Sequence, residues 1–244
     1  GPSRLVSLVQ LLARCPDGVC GIADMSDGAH SGAGMISFCS ANQHSLLVPD
    51  CDFLASWGYR KIRGKSRTAL SFEQREDKAL WRGATTGRGR QISSSGMGEH
   101  TTTLIPRTRM CLMLRNVPGC DVKFSHVVQS SDLALDSDQL RAAGILGDRI
   151  APENWLTVRY HIAIDGNTLA WSSLFTRLLA GCCVLKPDNP EDYRQWHSDL
   201  LVPWCHYVPV ASDLSDLVAR IAWCRTHVAE AAKIAACGQA LALS

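Results

Sequence analysis

The stretch 154–186 is the sequence feature that most constrains the fold. Apolar and polar residues alternate over 156–162, and the apolar run then continues into Asp165-Gly166. This pattern predicts a strand whose carboxyl end is buried. Apolar residues at helical spacing follow over 169–179, and 182–185 is a short apolar run. A strand, a helix and a second parallel strand form a right-handed βαβ unit, so the chain is predicted to be an α/β protein.

The turn after this first strand is a candidate ligand site. Ligands of open α/β sheets bind beyond the carboxyl ends of the strands, and Asp165, Gly166 and Asn167 occupy that position. Asn167 or Thr168 is expected to cap the helix that follows. A glycine lets the backbone approach a phosphate, while a helix N-terminus supplies N–H donors. The alternative is an ordinary strand-to-helix turn.

Several short segments in and around this unit share their order and spacing with a known family. They are IDGN at 164–167, LLAG at 178–181, VLK at 184–186, PWCHYVPV at 203–210 and, upstream, WRGATTG at 81–87. In these segments the chain resembles the CAP10-like glycosyltransferases, glycosyltransferase family 90. That family includes protein O-glucosyltransferases, capsule xylosyltransferases and bacterial lipopolysaccharide-modifying enzymes. The resemblance is most specific over 155–240.

The resemblance implies a GT-B-type α/β architecture, in which two Rossmann-like lobes face each other across a cleft. Residues 1–107 would hold the acceptor and the catalytic base. Residues 108–244 would hold the donor, with the last helix packing back on the first lobe. The implied reaction is inverting transfer from a nucleotide sugar, a UDP-sugar above all, to a hydroxyl of a glycan, lipopolysaccharide or protein. No metal or further cofactor is implied.

Asp27 is the candidate base. An inverting transfer needs a group that takes the proton from the acceptor hydroxyl as its oxygen attacks the anomeric carbon. Asp27 comes shortly after a strand expected at 19–23, and 22–27 resembles the family segment that ends in its proposed catalytic aspartate. The alternatives are a structural turn aspartate at this position, or a catalytic role for Asp24 or Asp50.

The glycine-rich basic segment 82–90 is a candidate donor loop. Glycines bring the backbone close to a ligand, hydroxyls donate, and arginine pairs with a diphosphate through two parallel hydrogen bonds. With the resemblance, the segment implies donor contacts from Arg82, Gly83, Ala84, Thr85, Thr86 and Arg90. Arg90 matches the arginine that contacts the nucleotide phosphates in family members. The alternative is a plain surface loop.

The second half of the donor site departs from the family pattern. Many relatives carry a phosphate-binding arginine in the helix after Asp165, where this chain has Ser172 and Ser173. The implied donor contacts here are Asp165, Gly166, Asn167, Ser172, Ser173, Arg177 and Lys186. Either the serines and the helix N-terminus suffice, or Arg177 or Arg159 substitutes, or donor affinity is weak.

Two other functional classes remain open from the sequence. Asp50-Cys51-Asp52 follows an apolar run, and such a motif holds the metal and diphosphate in metal-dependent transferases of the GT-A type. A non-catalytic nucleotide- or sugar-binding relative is the other class, suggested by the missing helix arginine.

Net charge and cysteine content limit the expected binding partners and cellular location. A net charge of +2 argues against nonspecific nucleic-acid binding. No apolar run approaches the ~18 residues of a membrane-spanning helix. The 11 cysteines are scattered, and most are expected to be buried free thiols, as at Cys39, Cys111, Cys182, Cys183 and Cys224. A cytoplasmic location, with peripheral attachment to an inner membrane, is therefore expected. A secretory lumen is the alternative if a leader was removed.

Overall fold

The computed structural model describes residues 4–18, 21–28, 32–88, 104–130 and 133–244. Within these ranges the helices are α1 (Arg4–Leu12), α2 (Cys51–Ala55), α3 (Arg60–Ser66), α4 (Pro106–Leu114), α5 (Leu133–Ala142), α6 (Ser172–Leu179), α7 (Leu217–Thr226) and α8 (Val228–Leu243). The strands are β1 (Ala23–Asp24), β2 (Ile36–Ser37), β3 (Leu46–Leu47), β4 (Glu76–Ala84), β5 (Cys120–His126), β6 (Val158–Ile162), β7 (Cys183–Pro187) and β8 (Val208–Val210). All named strands pair in parallel, in two sheets. The predicted α/β class is confirmed.

The larger sheet has the strand order β5-β4-β6-β7-β8. The predicted βαβ unit is β6, α6 and β7, with Tyr160 paired to Cys183 and Ile162 paired to Leu185. Adjacent residues of a strand point to opposite faces, and Val184 and Leu185 are both fully buried, so the sheet is covered on both faces at β7. Tyr160, Ile162 and Leu185 are fully buried.

Strand β4 lies inside the larger sheet, between β5 and β6. Its middle residues Ala79, Leu80 and Trp81 are 0–3% exposed, as expected for a strand covered on both faces. The boundary expected between residues 107 and 108 therefore does not coincide with the division between the sheets. A long insertion separates β4 from β5, and the sequence alone does not show that the two strands pair.

The smaller sheet has the order β1-β2-β3, and each strand contributes only two residues. Aromatic packing attaches the part of the chain around this sheet to α6. Phe53 makes edge contacts with Tyr59, Phe175 and Trp196, at ring-centroid distances of 5.5, 5.8 and 5.0 Å. At the far end Arg63 donates to the carbonyls of Ala242 and Leu243, at 2.8 Å each, and ties α8 to α3.

The predicted cap of the helix after β6 is wrong. Helix α6 begins at Ser172 rather than at Asn167 or Thr168, because Trp171 has a φ of 48° that interrupts helical geometry. Helix α7 begins at Leu217 after Asp216. The Asp213 carboxylate accepts from the Ser215 N–H at 3.0 Å, which makes a local turn ahead of the helix.

The predicted burial of the thiols is confirmed for Cys39, Cys111, Cys182, Cys183 and Cys224, all of them free. Cys20 lies outside the described residues. No described helix has the length and apolar character needed to cross a membrane.

Candidate functional site

The carboxyl ends of β4 and β6 are neighbours in the larger sheet, so the segments that follow them meet at one edge. The Asn167 side-chain oxygen accepts from the Gly87 backbone N–H at 3.0 Å, which joins the two segments directly. Gly166 packs against the other side of this junction. A Cβ on Gly166 would lie 2.6 Å from the Thr86 hydroxyl and 3.1 Å from a guanidinium nitrogen of Arg107. The close approach of these groups requires glycine here.

Arg107 is the central cation of this edge, and sequence reasoning did not identify it. Its guanidinium donates to the carbonyls of Asp165 (2.9 Å), Ala84 (3.0 Å) and Ile164 (3.2 Å), and to the Thr86 hydroxyl (2.5 Å). These contacts use four of the five N–H donors of an arginine. Burial lowers the pKa of Arg107 to about 10, and the nearby Asp165 opposes that shift, so the group is charged at neutral pH.

The position of Arg107 in the sequence was the signal that could have identified it as a site residue. It lies in the first turn of α4, directly after Pro106, and follows a stretch of sequence rich in Gly, Ser and Thr. Basic residues are unusual in the first turn of a helix, because the helix dipole disfavours a cation there. The guanidinium also lies over the Trp81 ring, 5.5 Å from its centroid, which adds a cation–π contact to its position.

Asp165 fixes the loops that follow β6 and β7. Its carboxylate accepts from the Asn189 side-chain amide at 2.9 Å, and the same amide nitrogen donates to the Thr168 carbonyl at 2.9 Å. Burial raises the pKa of Asp165, and the hydrogen bond from Asn189 and the charge of Lys186 oppose that shift. Asp165 therefore orders the turn that holds Gly166 and Asn167.

Two adjoining cavities open at this edge. The smaller, of about 220 Å³, lies beyond the ends of β6, β7 and β8 and is lined by Gly166, Asn167 and Ser212 among others. The larger, of about 980 Å³, lies between loop 41–44 and segment 186–201. Asp165 and Tyr193 line both. The larger cavity therefore lies between the two sheets, as a two-lobed architecture requires.

Asp27 lies near this cleft, on the side of the smaller sheet. A Cβ on the next residue, Gly28, would be 2.6 Å from the Cys39 carbonyl and 3.3 Å from the Tyr193 ring. Burial raises the pKa of the Cys39 thiol to about 12, and the charges of both Asp165 and Asp27 add to that shift. The two carboxylates therefore act on the same thiol.

Arg4 holds the Asp27 side chain in place. The two form an ion pair in which both side chains are about one-third exposed, at 34% and 35%. Arg4 also donates to the Met25 carbonyl at 2.8 Å, and its guanidinium lies 4.9 Å from the centroid of the Trp171 ring. No pattern in the sequence predicts this pairing.

The other candidate carboxylates for the base have structural partners. Asp50 is 2% exposed, accepts from the Phe53 N–H at 3.0 Å as the cap of α2, and accepts from the Tyr59 hydroxyl at 3.1 Å. Asp24 is buried and accepts from the Ser26 N–H at 2.8 Å. The Asp50 carboxylate is thus committed to a helix cap, which argues against the metal-binding alternative. Among the described residues no group of three or more His, Cys, Asp or Glu side chains is arranged to hold a metal ion.

Two of the three predicted donor contacts in α6, Ser172 and Arg177, line a different cavity from Gly166. Arg177 stacks on Trp155, 3.5 Å from the ring centroid, at the amino-terminal side of β6. Ser172 and Arg177 line a separate cavity of about 350 Å³. Ser173 follows Ser172 and donates its backbone N–H to the Ala170 carbonyl at 3.0 Å. Because α6 begins only at Ser172, the three residues lie beyond the turn at Gly166 and Asn167, where they were expected to contact the donor.

Arg159, the other suggested substitute for the helix arginine, is also engaged elsewhere. It donates to the carbonyls of Phe72 at 3.1 Å and Glu73 at 2.6 Å, near the start of β4. The structure therefore offers Arg107, and neither of the two expected arginines, as the cation beside Gly166.

Of the remaining predicted donor residues, Arg82 and Thr85 make structural contacts, and Lys186 lies at a cavity. Arg82 pairs with Asp121 at 2.7 Å and donates to the Asp148 carbonyl at 3.1 Å, so its guanidinium holds β4 to neighbouring segments. The Thr85 hydroxyl donates a hydrogen bond to the Val128 carbonyl and accepts one from the Val128 N–H. Lys186 lines the larger cavity.

Gly83 and Arg90 are two more predicted donor residues of segment 82–90. Gly83 is covered by the Trp81 ring, since a Cβ there would lie 2.5 Å from a ring carbon. Arg90 lies outside the described residues.

The chain belongs to glycosyl transferase family 90, whose model matches residues 9–244. Protein O-glucosyltransferase 2 of Danio rerio is 40% identical over 84 residues, which are 34% of this chain and 16% of that protein. Human protein O-glucosyltransferase 3 is 31% identical over 129 residues, 47% of this chain and 25% of that protein. Uncharacterized protein 027R of Frog virus 3 is 42% identical over 98 residues, 39% of this chain and 10% of that protein. The chain thus spans a quarter or less of the length of these relatives.

Two solved structures show weak likeness. The C-terminal domain of the glycosyl transferase group 1 family protein LpcC from Francisella tularensis aligns with a TM-score of 0.43 at 14% identity, over 74% of this chain and 90% of that one. Anabaena HepE in complex with UDP and glucose aligns with a TM-score of 0.41 at 13% identity, over 75% and 47%. Likenesses below a TM-score of 0.5 do not establish a shared site.

Proposed function

We propose that this chain is an inverting glycosyltransferase that moves a sugar from a UDP-sugar to a hydroxyl of a glycan, lipopolysaccharide or protein. The observation that carries the proposal is the meeting of Thr86, Gly166 and Arg107 beside the cavities at the carboxyl edge of the larger sheet. A guanidinium beside a glycine suits a diphosphate, because it is positively charged and Arg107 keeps one of its five N–H donors for a ligand.

The donor would lie across the two cavities. Its diphosphate would face Arg107 and Thr86, with Lys186 on the wall of the larger cavity as a second cation. Positive charge at this place stabilises the negative charge that develops on the leaving UDP as the bond to the sugar breaks.

Asp27 would be the base. The acceptor oxygen attacks the anomeric carbon from the side opposite UDP and forms the new C–O bond. The bond from that carbon to the phosphate oxygen breaks, and UDP leaves with the electron pair. The acceptor proton passes to the Asp27 carboxylate. Because the attack comes from the side opposite UDP, the configuration at the anomeric carbon inverts.

The test of this proposal is nucleotide binding followed by turnover. Thermal unfolding with UDP, GDP and CMP should show stabilisation by UDP above the others. A ligand at 100 times its dissociation constant stabilises by about 2.7 kcal/mol. Transfer is then measured as UDP released from UDP-sugars in the presence of sugar and peptide acceptors. No stabilisation by any of the three nucleotides would refute the proposal.

A nucleotide-binding relative without turnover is the second candidate. The observation that favours it is the position of Ser172 and Arg177, which line a different cavity and leave the α6 side of the donor site without the cation found in many relatives. Binding of UDP with no UDP release from any donor would select this candidate.

A further inference from the structure

Two buried polar side chains line the larger cavity. Gln195 and His197 are 3% and 2% exposed, and both belong to its wall. Within the described part of the chain, the amide nitrogen of Gln195 and both ring nitrogens of His197 have no hydrogen-bond partner. Buried polar groups in native proteins are nearly always paired, and an unpaired one destabilises the fold. Two of them at the wall of one cavity indicate that their partner is a ligand.

Their backbone and ring contacts hold both residues rigidly. The Gln195 N–H donates to the Ser198 hydroxyl at 2.9 Å, and the Ser198 N–H donates to the Gln195 carbonyl at 2.9 Å, closing a tight turn. The His197 ring packs against the rings of Phe175 and Trp196, with centroids 5.2 Å apart in each case. A rigid pair of side chains loses little conformational entropy when it binds a ligand.

The chemistry of the pair suits a neutral ligand that carries hydroxyl groups. Burial, together with the charge of Lys186, lowers the pKa of His197 to about 4. The imidazole is therefore neutral at pH 7 and offers one donor and one acceptor, while the Gln195 amide offers donors and an acceptor. Adjacent hydroxyls of a sugar ring match this set, since each hydroxyl both donates and accepts.

We propose that Gln195 and His197 bind the hydroxyls of a pyranose in the larger cavity and help to select it. This inference rests on the proposed function, in which the sugar is either the one carried by the nucleotide donor or one of the acceptor. Both sources present the same chemistry. The cavity adjoins the smaller one through Asp165 and Tyr193, so either sugar would lie next to the diphosphate.

Three variants test the inference. Gln195→Met keeps an unbranched side chain of similar size without its donors, and His197→Phe keeps an aromatic ring. Gln139→Met, in α5, makes the first change away from the cavity as a control. Affinities for UDP, UDP-glucose, UDP-xylose and methyl glucoside are measured by calorimetry, and unfolding temperatures are measured without ligand.

The expected result has two parts. Without ligand, Gln195→Met should unfold at a temperature equal to or above that of the wild type, because a buried unpaired amide is removed. UDP affinity should change less than twofold. Affinity for the sugar-bearing probes should fall about fivefold to tenfold per lost hydrogen bond. A loss confined to the UDP-sugars assigns the site to the donor sugar, and a loss confined to methyl glucoside assigns it to the acceptor.

Contrary outcomes separate the two proposals. If UDP binds and neither variant alters any sugar affinity, the inference is wrong and the proposed function stands. If the wild type binds no nucleotide, the proposed function is wrong, and methyl glucoside decides the inference by itself. Failure to bind methyl glucoside, or binding unchanged in Gln195→Met, then overturns it.

If His197→Phe does not fold, Gln195→Met decides. A clearly lower unfolding temperature for Gln195→Met would also overturn the inference, since the amide would then have an internal partner.

Discussion

The guanidinium of Arg107 donates to the backbone carbonyl of Asp165 at 2.9 Å, and so joins the start of α4 to the turn after β6. The same guanidinium reaches the end of β4 through the Ala84 carbonyl and the Thr86 hydroxyl. One side chain thus ties together both segments that the sequence offered as donor-binding. Its role in shape and its role in charge are therefore coupled.

Arg107→Ala should weaken UDP binding by tenfold or more, because a charge-assisted hydrogen bond contributes about 1.5–3 kcal/mol. It should also lower the unfolding temperature, since four hydrogen bonds are removed. Affinity is measured by calorimetry well below the unfolding temperature. Arg141→Ala, at an exposed ion pair in α5, is the control. UDP affinity equal to that of the wild type would exclude Arg107 from the site.

Arg90→Ala should also weaken UDP binding if the family match of the sequence holds. The comparison of Arg90→Ala with Arg107→Ala under identical conditions decides which arginine contacts the phosphates. A loss in both variants would mean a two-arginine clamp. An unchanged UDP affinity in Arg90→Ala would remove that residue from the donor site.

Asp27→Asn should reduce transfer by about 10²–10⁴, the usual contribution of a positioned general base, while UDP affinity is retained. Stability should change little, because the carboxylate is one-third exposed and a partly exposed ion pair contributes only about 0–1 kcal/mol. Transfer is measured as UDP release at saturating donor.

Asp50→Asn is the matched control for the base. Asparagine also caps helices and can accept from the Tyr59 hydroxyl, so the fold and most of the activity should survive. Near wild-type transfer in Asp27→Asn would refute its assignment as the base. Unfolding of Asp27→Asn would make Asp27 structural instead.

Gly166→Ala should destabilise the protein by about 1–3 kcal/mol, because the added methyl group would overlap the Thr86 hydroxyl and the Arg107 guanidinium. UDP binding should weaken as these groups move. Gly64→Ala is the control, since a Cβ at Gly64 in α3 meets nothing within 4 Å. That change should be neutral or stabilise by up to about 1 kcal/mol. Urea unfolding compares the two, and equal effects would contradict the packing described for Gly166.

Acid should destabilise the fold through His161. This side chain is 1% exposed, its Nε2 lies 3.1 Å from the Trp155 carbonyl, and burial lowers its pKa to about 3. An unfolded histidine has a pKa of about 6.5, so between these values the unfolded chain binds more protons than the folded one. The contribution of His161 to stability is therefore complete above about pH 6.5 and is lost as the pH falls toward about 3.

The free energy of unfolding from pH 4 to pH 8, compared between the wild type and His161→Gln, measures this contribution. Glutamine can still donate to the Trp155 carbonyl but does not titrate. The wild type should lose stability more steeply on acidification than the variant. The buried carboxyls of Asp50 and Asp165, whose pKa values are raised by burial, act in the opposite direction and are present in both proteins. Parallel curves would contradict a buried neutral histidine at this position.

Local pattern predicted much of the larger sheet. The alternation over 156–162 contains β6, and the apolar run at 182–185 overlaps β7, because strands inside a sheet bury their apolar side chains whatever the remainder of the chain does. The glycine at 166 and the position of the turn beyond a strand end followed from the same reasoning. Family motifs in and around this unit then indicated the family to which the chain belongs.

Only the tertiary structure decided which side chains meet. Arg107 reaches Asp165 across 58 positions of sequence, and Arg4 reaches Asp27 across 23. Local periodicity contains no information on such contacts, because they depend on strand order and on how helices cover the sheet. The start of α6 was likewise misplaced, since the left-handed backbone of Trp171 depends on its surroundings and not on the capping tendency of Asn167 or Thr168. The sequence determined the strands and the turn, and packing determined which charges stand beside them.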